Sequence, residues 1–224
     1  MMPKDNSDLL ALLGLDSGPK NSCQFPYESP IERELIRVLI KYLSEAATIE
    51  NQIEIQTPNG NFRADFLVTI SGRKVVLEAD GREFHSYETD LVRDALILGF
   101  SDVAAIYHFR GKDIMYSLEN ALWAVADLDP SLFSERGIAN LTQLSEVSGT
   151  RGEVSVYSDH LAGYSYNTSD DSAQGNVYDV GYMTQESDGG IARKIQDVAL
   201  RNPGRKISEL LPVCRDEKLL WYPD

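Results

Sequence analysis

The stretch VVLEADGREFH, Val75 to His85, decides how this chain is read. Val75, Val76 and Leu77 suit a buried strand, yet Glu78 and Asp80 stand where core residues should continue. Side chains alternate along a strand, so Glu78 and Asp80 share one face while Leu77 and Ala79 share the other. Gly81 lets the backbone turn sharply, and His85 is close enough in sequence to reach back over the strand end. One acid at a strand end, taken alone, is ordinary solvated surface; the order and context of the combination carry more.

The preceding strand carries Asp65 in RADFLV, and the turn SGRK makes strands 62–70 and 75–80 an antiparallel hairpin. Pairing about residues 72–73 sets Asp65 roughly opposite Glu78 to Asp80. Carboxylates so close raise one another's pKa unless a cation holds them. A hard divalent ion with oxygen ligands, Mg²⁺ or Mn²⁺, is the simplest resolution. Asp65, Glu78, Asp80 and the Ala79 carbonyl are the candidate ligands. His85 is the candidate general base or acid near neutral pH. Glu32, one turn into a helix, is a further carboxylate for the same sheet edge, or else the partner of Ser29 in a capping box. Arg93 is placed to hold a phosphate or to orient an acid, or to pair with Glu88 or Asp90 on its own helix.

Composition frames this chemistry. The 224 residues are 42% hydrophobic and 25% charged, the balance of an ordinary globular protein. No apolar run approaches the ~18 residues of a membrane-spanning helix. Cys23 and Cys214 cannot make a disulfide framework, and MMPKDNSDLLALLGLDSG does not read as a secretory signal. A cytoplasmic location with no membrane partner is the expectation. The net charge of −14 argues against a nonspecific binder of phosphate backbones. It is compatible with an enzyme that keeps a local basic groove, or with a protein partner that supplies the grip on nucleic acid.

Along the chain, SDLLALLGL (7–15) reads as a short helix and residues 16–28 as loop. Ser29 as N-cap, Pro30 at the first helical position and apolar residues at helical spacing predict an amphipathic helix over 30–46. Strands follow at 48–58, 62–70 and 75–80, then a helix over 87–99, a strand over 101–109 and a helix over 111–128. The order α-β-β-β-α-β-α, with a parallel crossover from 75–80 to 103–109, predicts an α/β (α+β) domain: a mixed central sheet flanked by helices. The expected division is an N-terminal helix and loop (1–28), a central domain (29–130) and a C-terminal extension (131–224). In the extension, Glu153 to Asp188 holds seven acids, five tyrosines and no Lys or Arg, and reads as a β-hairpin-like segment. A basic helical segment over 191–211 follows, with Arg193 and Lys194 as candidate nucleic-acid contacts.

In order, SPIERELI, FRADFLV, VVLEADGREFH, VRDALILGF and VAAIYHFRGKDI resemble the DUF559 and very-short-patch-repair-like branch of the PD-(D/E)XK, or restriction-endonuclease-like, nucleases. The resemblance covers residues 29–127. It implies a Mg²⁺-dependent hydrolase of nucleic-acid phosphodiesters, DNA above all, single- or double-stranded, serving DNA repair or defence against foreign DNA. It matches Asp65 and Glu78 to the metal-binding acids, His85 to the branch's histidine and Glu32 to its helix acid. Asp80 stands where the wider superfamily often carries Lys, which leaves open the group that activates water. Arg63, Arg73, Lys74 and Arg82 surround the hairpin as candidate phosphate ligands. A second reading stands beside the enzyme: a catalytically weak nuclease fold that works as a binding or scaffold protein. A homodimer is compatible with either.

Overall fold

The computed structural model describes residues 20–21, 27–81, 87–145, 153–157, 161–165, 180–184 and 190–220. A six-stranded mixed sheet organises them, in the order β1-β2-β3-β4-β5-β8. Its four central strands are β2 (Thr48–Thr57), β3 (Gly60–Ile70), β4 (Arg73–Asp80) and β5 (Val103–Arg110), with β1 (Lys20–Asn21) and β8 (Val180–Thr184) at the edges. Strands β2, β3 and β4 form an antiparallel meander, and β4 pairs parallel with β5 across helix α2 (Tyr87–Phe100). The crossover expected from the alternation of apolar strand and amphipathic helix is therefore present.

Two apolar layers cover the sheet. On one face, α1 (Pro30–Leu39), α3 (Gly111–Tyr116), α4 (Leu118–Leu128) and α5 (Glu135–Leu144) pack Leu35, Leu39, Ile114, Leu122 and Leu141 against Phe66, Val68, Leu77 and Tyr107. On the other, α2, α6 (Ile191–Arg201) and α7 (Ile207–Asp216) pack Val92, Leu96, Ile195, Val198 and Leu210 against Leu67, Val76 and Ile106. Burial of such side chains stabilises by roughly 1.5–3 kcal/mol each. The C-terminal extension is thus built into the same layers. Its β8 extends the sheet beside β5, and β6 (Glu153–Tyr157) with β7 (Leu161–Ser165) makes a separate two-stranded ribbon.

Several boundaries differ from expectation. The first helix ends at Leu39 rather than 46, because Leu43 bridges to Phe133 and the Ser44 and Ser134 N–H groups bond the Leu132 and Tyr42 carbonyls. The helix expected over 111–128 breaks at Ser117, whose backbone leaves helical geometry; serine competes for backbone hydrogen bonds inside helices. A short strand, β1, falls within the span read as loop. The helix read over 7–15 lies outside the described residues.

The antiparallel ladder carries one irregularity. Ile49 belongs to the α1 layer, whereas Ile53 and Ile55 belong to the α2 layer, although all three are odd-numbered. Opposite them, Phe66 and Val68 lie in the α1 layer while Ala64 lies in the α2 layer. Both strands exchange faces at one facing position, and the pairing passes from Asn51↔Phe66 to Ile53↔Ala64 over Gln52 and Asp65.

Tight packing at α5 gives a first test. Ser134 caps this helix by accepting the Gly137 N–H at 2.9 Å, and a methyl group on Gly137 would overlap the Tyr42 carbonyl oxygen. Gly137→Ala should destabilise the fold by about 1–3 kcal/mol, read as a drop of about 2–12 °C in melting temperature. An unchanged melting temperature contradicts this packing.

Candidate active site

The site forms where β4 ends. The β3–β4 pairing ends at Phe66↔Leu77, and Asp65 follows one position beyond it, within the Glu78-to-Asp80 span expected from the turn. There the ladder gives way to side chains: Asp65 Oδ2 accepts the Ala79 N–H at 2.9 Å, and the Asp65 N–H approaches Glu78 Oε2 at 3.4 Å. Glu78 and Asp80 point to the α2 layer, on the same face as each other.

Two cations balance these acids. Arg93, from the second turn of α2, is ion-paired with Glu78 Oε1, and the side chains are 15% and 5% exposed. Arg93 is thus aimed at the sheet acids rather than at Glu88 or Asp90. His108, on β5 directly beside Glu78, lies between two carboxylates: Nδ1 is 3.0 Å from Asp80 Oδ2 and Nε2 is 2.7 Å from Asp94 Oδ2. Burial alone lowers an imidazole's pKa; the charge of Asp94 and the hydrogen bonds to both acids outweigh it and push His108 up to about 10. The histidine is therefore a cation at neutral pH.

On the α1 side stands Glu32. Ser29 Oγ accepts the Glu32 N–H at 3.2 Å, so the serine caps the helix as expected. The Glu32 carboxylate does not close the box on Ser29: it accepts from the Glu28 N–H at 3.3 Å and from Gln52 Nε2 at 3.0 Å. Burial raises its pKa, and nearby Asp65 raises it further against the hydrogen bonds that lower it. Asp65 is likewise raised, by burial first, with the Ala79 N–H and Arg93 opposing and Asp80 adding. Sitting where the strands change faces, Asp65 senses Glu32 on one side and Arg93 and Asp80 on the other.

The structure thus gathers Glu32, Asp65, Glu78, Asp80 and Arg93 at one sheet end. His85 and Arg82 lie outside the described residues. Arg63 is at the exposed rim, paired with Glu28 at 2.6 Å. Arg73 and Lys74 sit at the opposite end of β4, roughly 20 Å from Asp80 by strand rise, paired with Asp129 and Asp102. They stand at the hairpin turn as expected, a full strand away from the acids. Arg193 and Lys194 are exposed on the outer face of α6, while Ala192, Ile195, Val198 and Ala199 face the core. Asp94, His108 and Gln52 had not been singled out. Asp94 lies inside the VRDALILGF motif, and His108 interrupts an otherwise apolar strand, which was the available signal.

Oxygen donors of the kind a hard divalent ion takes therefore stand close together on adjacent strands. Among the described residues, however, no group of three or more His, Cys, Asp or Glu side chains is gathered closely enough to hold a metal ion. Glu78 is turned onto Arg93 and Asp80 onto His108. The donors fit such an ion in kind, but their present placement is a charge-paired state.

Compared with protein-family models, with curated proteins and with solved structures, the chain matches none.

His108 yields a test. Folding raises its pKa from the ordinary 6.5 to about 10, so it favours the protonated group. Its contribution to stability is full below about pH 6.5 and fades as pH climbs toward about 10. The wild-type melting temperature should fall more steeply over this window than that of His108→Gln. Parallel pH profiles contradict the assignment.

Proposed function

We propose that the chain is a divalent-metal-dependent endonuclease that hydrolyses DNA phosphodiesters, with the restriction-endonuclease-like arrangement that its ordered motifs resemble. The observation that carries the reading is Asp65 on β3 beside the end of β4, bonded to the Ala79 N–H and with its own N–H 3.4 Å from Glu78 Oε2, in a largely buried cluster of acids. Asp65, Glu78, the Ala79 carbonyl and Asp80 would hold Mg²⁺ or Mn²⁺. Such an ion, when bound, lowers the pKa of a water and neutralises charge on phosphoryl oxygens.

The chain's own groups do the rest. Asp65 keeps its orientation through the Ala79 N–H, so its second oxygen is left to turn toward a ligand. Arg93, once Glu78 leaves it, is a guanidinium already at the strand end, suited to a phosphate oxygen. His108 holds Asp80 in place from β5. His85 remains the proposed proton carrier and Arg82 a proposed phosphate ligand. Repair or defence against foreign DNA is the proposed setting.

A specific observation favours a second reading, the catalytically weak fold acting as a scaffold. Glu78 and Asp80 already have cationic partners in Arg93 and His108, and a protein that never binds metal needs that pairing. Cleavage assays on plasmid and single-stranded DNA with Mg²⁺ and Mn²⁺ separate the two. The endonuclease cuts, and Asp65→Asn and Glu78→Gln each lower the rate at least about a hundredfold, the scale of losing one charge-stabilising group. No cutting with either ion supports the scaffold instead, and cutting that survives both substitutions overturns the assignment of Asp65 and Glu78.

A further inference from the structure

Gln52 lies in the middle of β2 with φ of +55°, a left-handed backbone that non-glycine residues seldom adopt. The other non-glycine residues with positive φ among those described, Ser71 and Lys218, lie in turns. The position of Gln52 is the one at which both strands exchange faces, directly across the ladder from Asp65. If a bend were all that was needed, glycine would supply it with less strain. Strained conformations persist where the surroundings enforce them, and they cluster at functional sites.

The side chain is used. Its Nε2 donates to Glu32 Oε2 at 3.0 Å, and Glu32 in turn is electrostatically coupled to Asp65. With the amide nitrogen committed to a carboxylate, the orientation of the group is fixed, and its oxygen is the acceptor. That oxygen, Oε1, is buried and has no hydrogen-bond partner among the described residues. A buried amide oxygen left without a donor carries a desolvation penalty that a bound water or substrate donor removes.

We propose that Gln52 is a positioning residue of the site: its strained backbone aims the side-chain amide so that the nitrogen holds Glu32 beside Asp65 and the oxygen holds a water there. The inference rests on the hydrolytic reading above. It makes the face exchange at 52 and 65 a device that joins the α1 side of the sheet to the acids on the α2 side.

The test compares Gln52→Gly and Gln52→Ala. Glycine removes the amide and the strain, whereas alanine removes the amide and keeps the strain. Q52G should melt no lower than wild type and several degrees above Q52A. Both variants should nevertheless lose at least about tenfold in kcat, with KM little changed, because the lost group orients a reacting water rather than docking DNA. Wild-type kcat in either variant, or equal melting temperatures for Q52G and Q52A, overturns the proposal. If wild type cuts nothing but its melting point rises with Mn²⁺, the proposed substrate fails. Gln52 is then judged by whether Q52G loses that rise: loss supports its role, and an undiminished rise overturns it. With neither cutting nor a rise, both readings fall.

Discussion

Carboxylates drawn out of water beside one another need positive charge, and this constraint shapes the whole sheet end. Glu78 and Asp80 leave β4 toward α2, and Asp65 meets them from β3. Left alone, such acids would take up protons or hold the strands apart. Arg93 answers Glu78, and His108 joins Asp80 to Asp94. Removing one partner of a buried pair is far more damaging than never having the pair, because a lone buried charge remains. Helix α2 is therefore bound to the sheet by charge as well as by Val92, Ala95 and Leu96.

The proposed function would give this sheet end two charge states. In one, guanidinium and imidazolium neutralise the acids. In the proposed other, Glu78 would hold a divalent ion in place of Arg93, and the freed arginine would meet the substrate's phosphate. The exchange keeps the number of compensated charges similar while changing what the site can bind. The overall charge of −14 works against the approach of a polyanion, so the grip on a phosphate would rest on local cations such as Arg93 or on a partner.

Much of this was legible in the residues. Alternation and the short SGRK turn placed Asp65 roughly opposite Glu78 to Asp80; the paired register ends one position short of it, and Asp65 accepts the Ala79 N–H. Helical periodicity and the Ser29 and Pro30 signals located α1 well at its start; its end depended on Leu43 pairing with Phe133, a contact far away in sequence. Local pattern also could not show that Gln52 and Asp65 sit where both strands change faces, because a regular hairpin was the simplest assumption. Arg73 and Lys74 surround the hairpin turn, as their sequence positions suggest, and the length of β4 separates them from the acids. His108 looked like one polar residue in an apolar strand, and only the parallel pairing of β4 with β5 reveals it as the bridge between Asp80 and Asp94.

The central claim is that Asp65 and Glu78 form a metal site once Glu78 leaves Arg93. Anomalous diffraction from crystals grown with Mn²⁺ tests it most directly. The account predicts a peak within coordination distance of both carboxylates, with Glu78 swung off the arginine. A map with no peak there, and Glu78 still paired with Arg93, would contradict it.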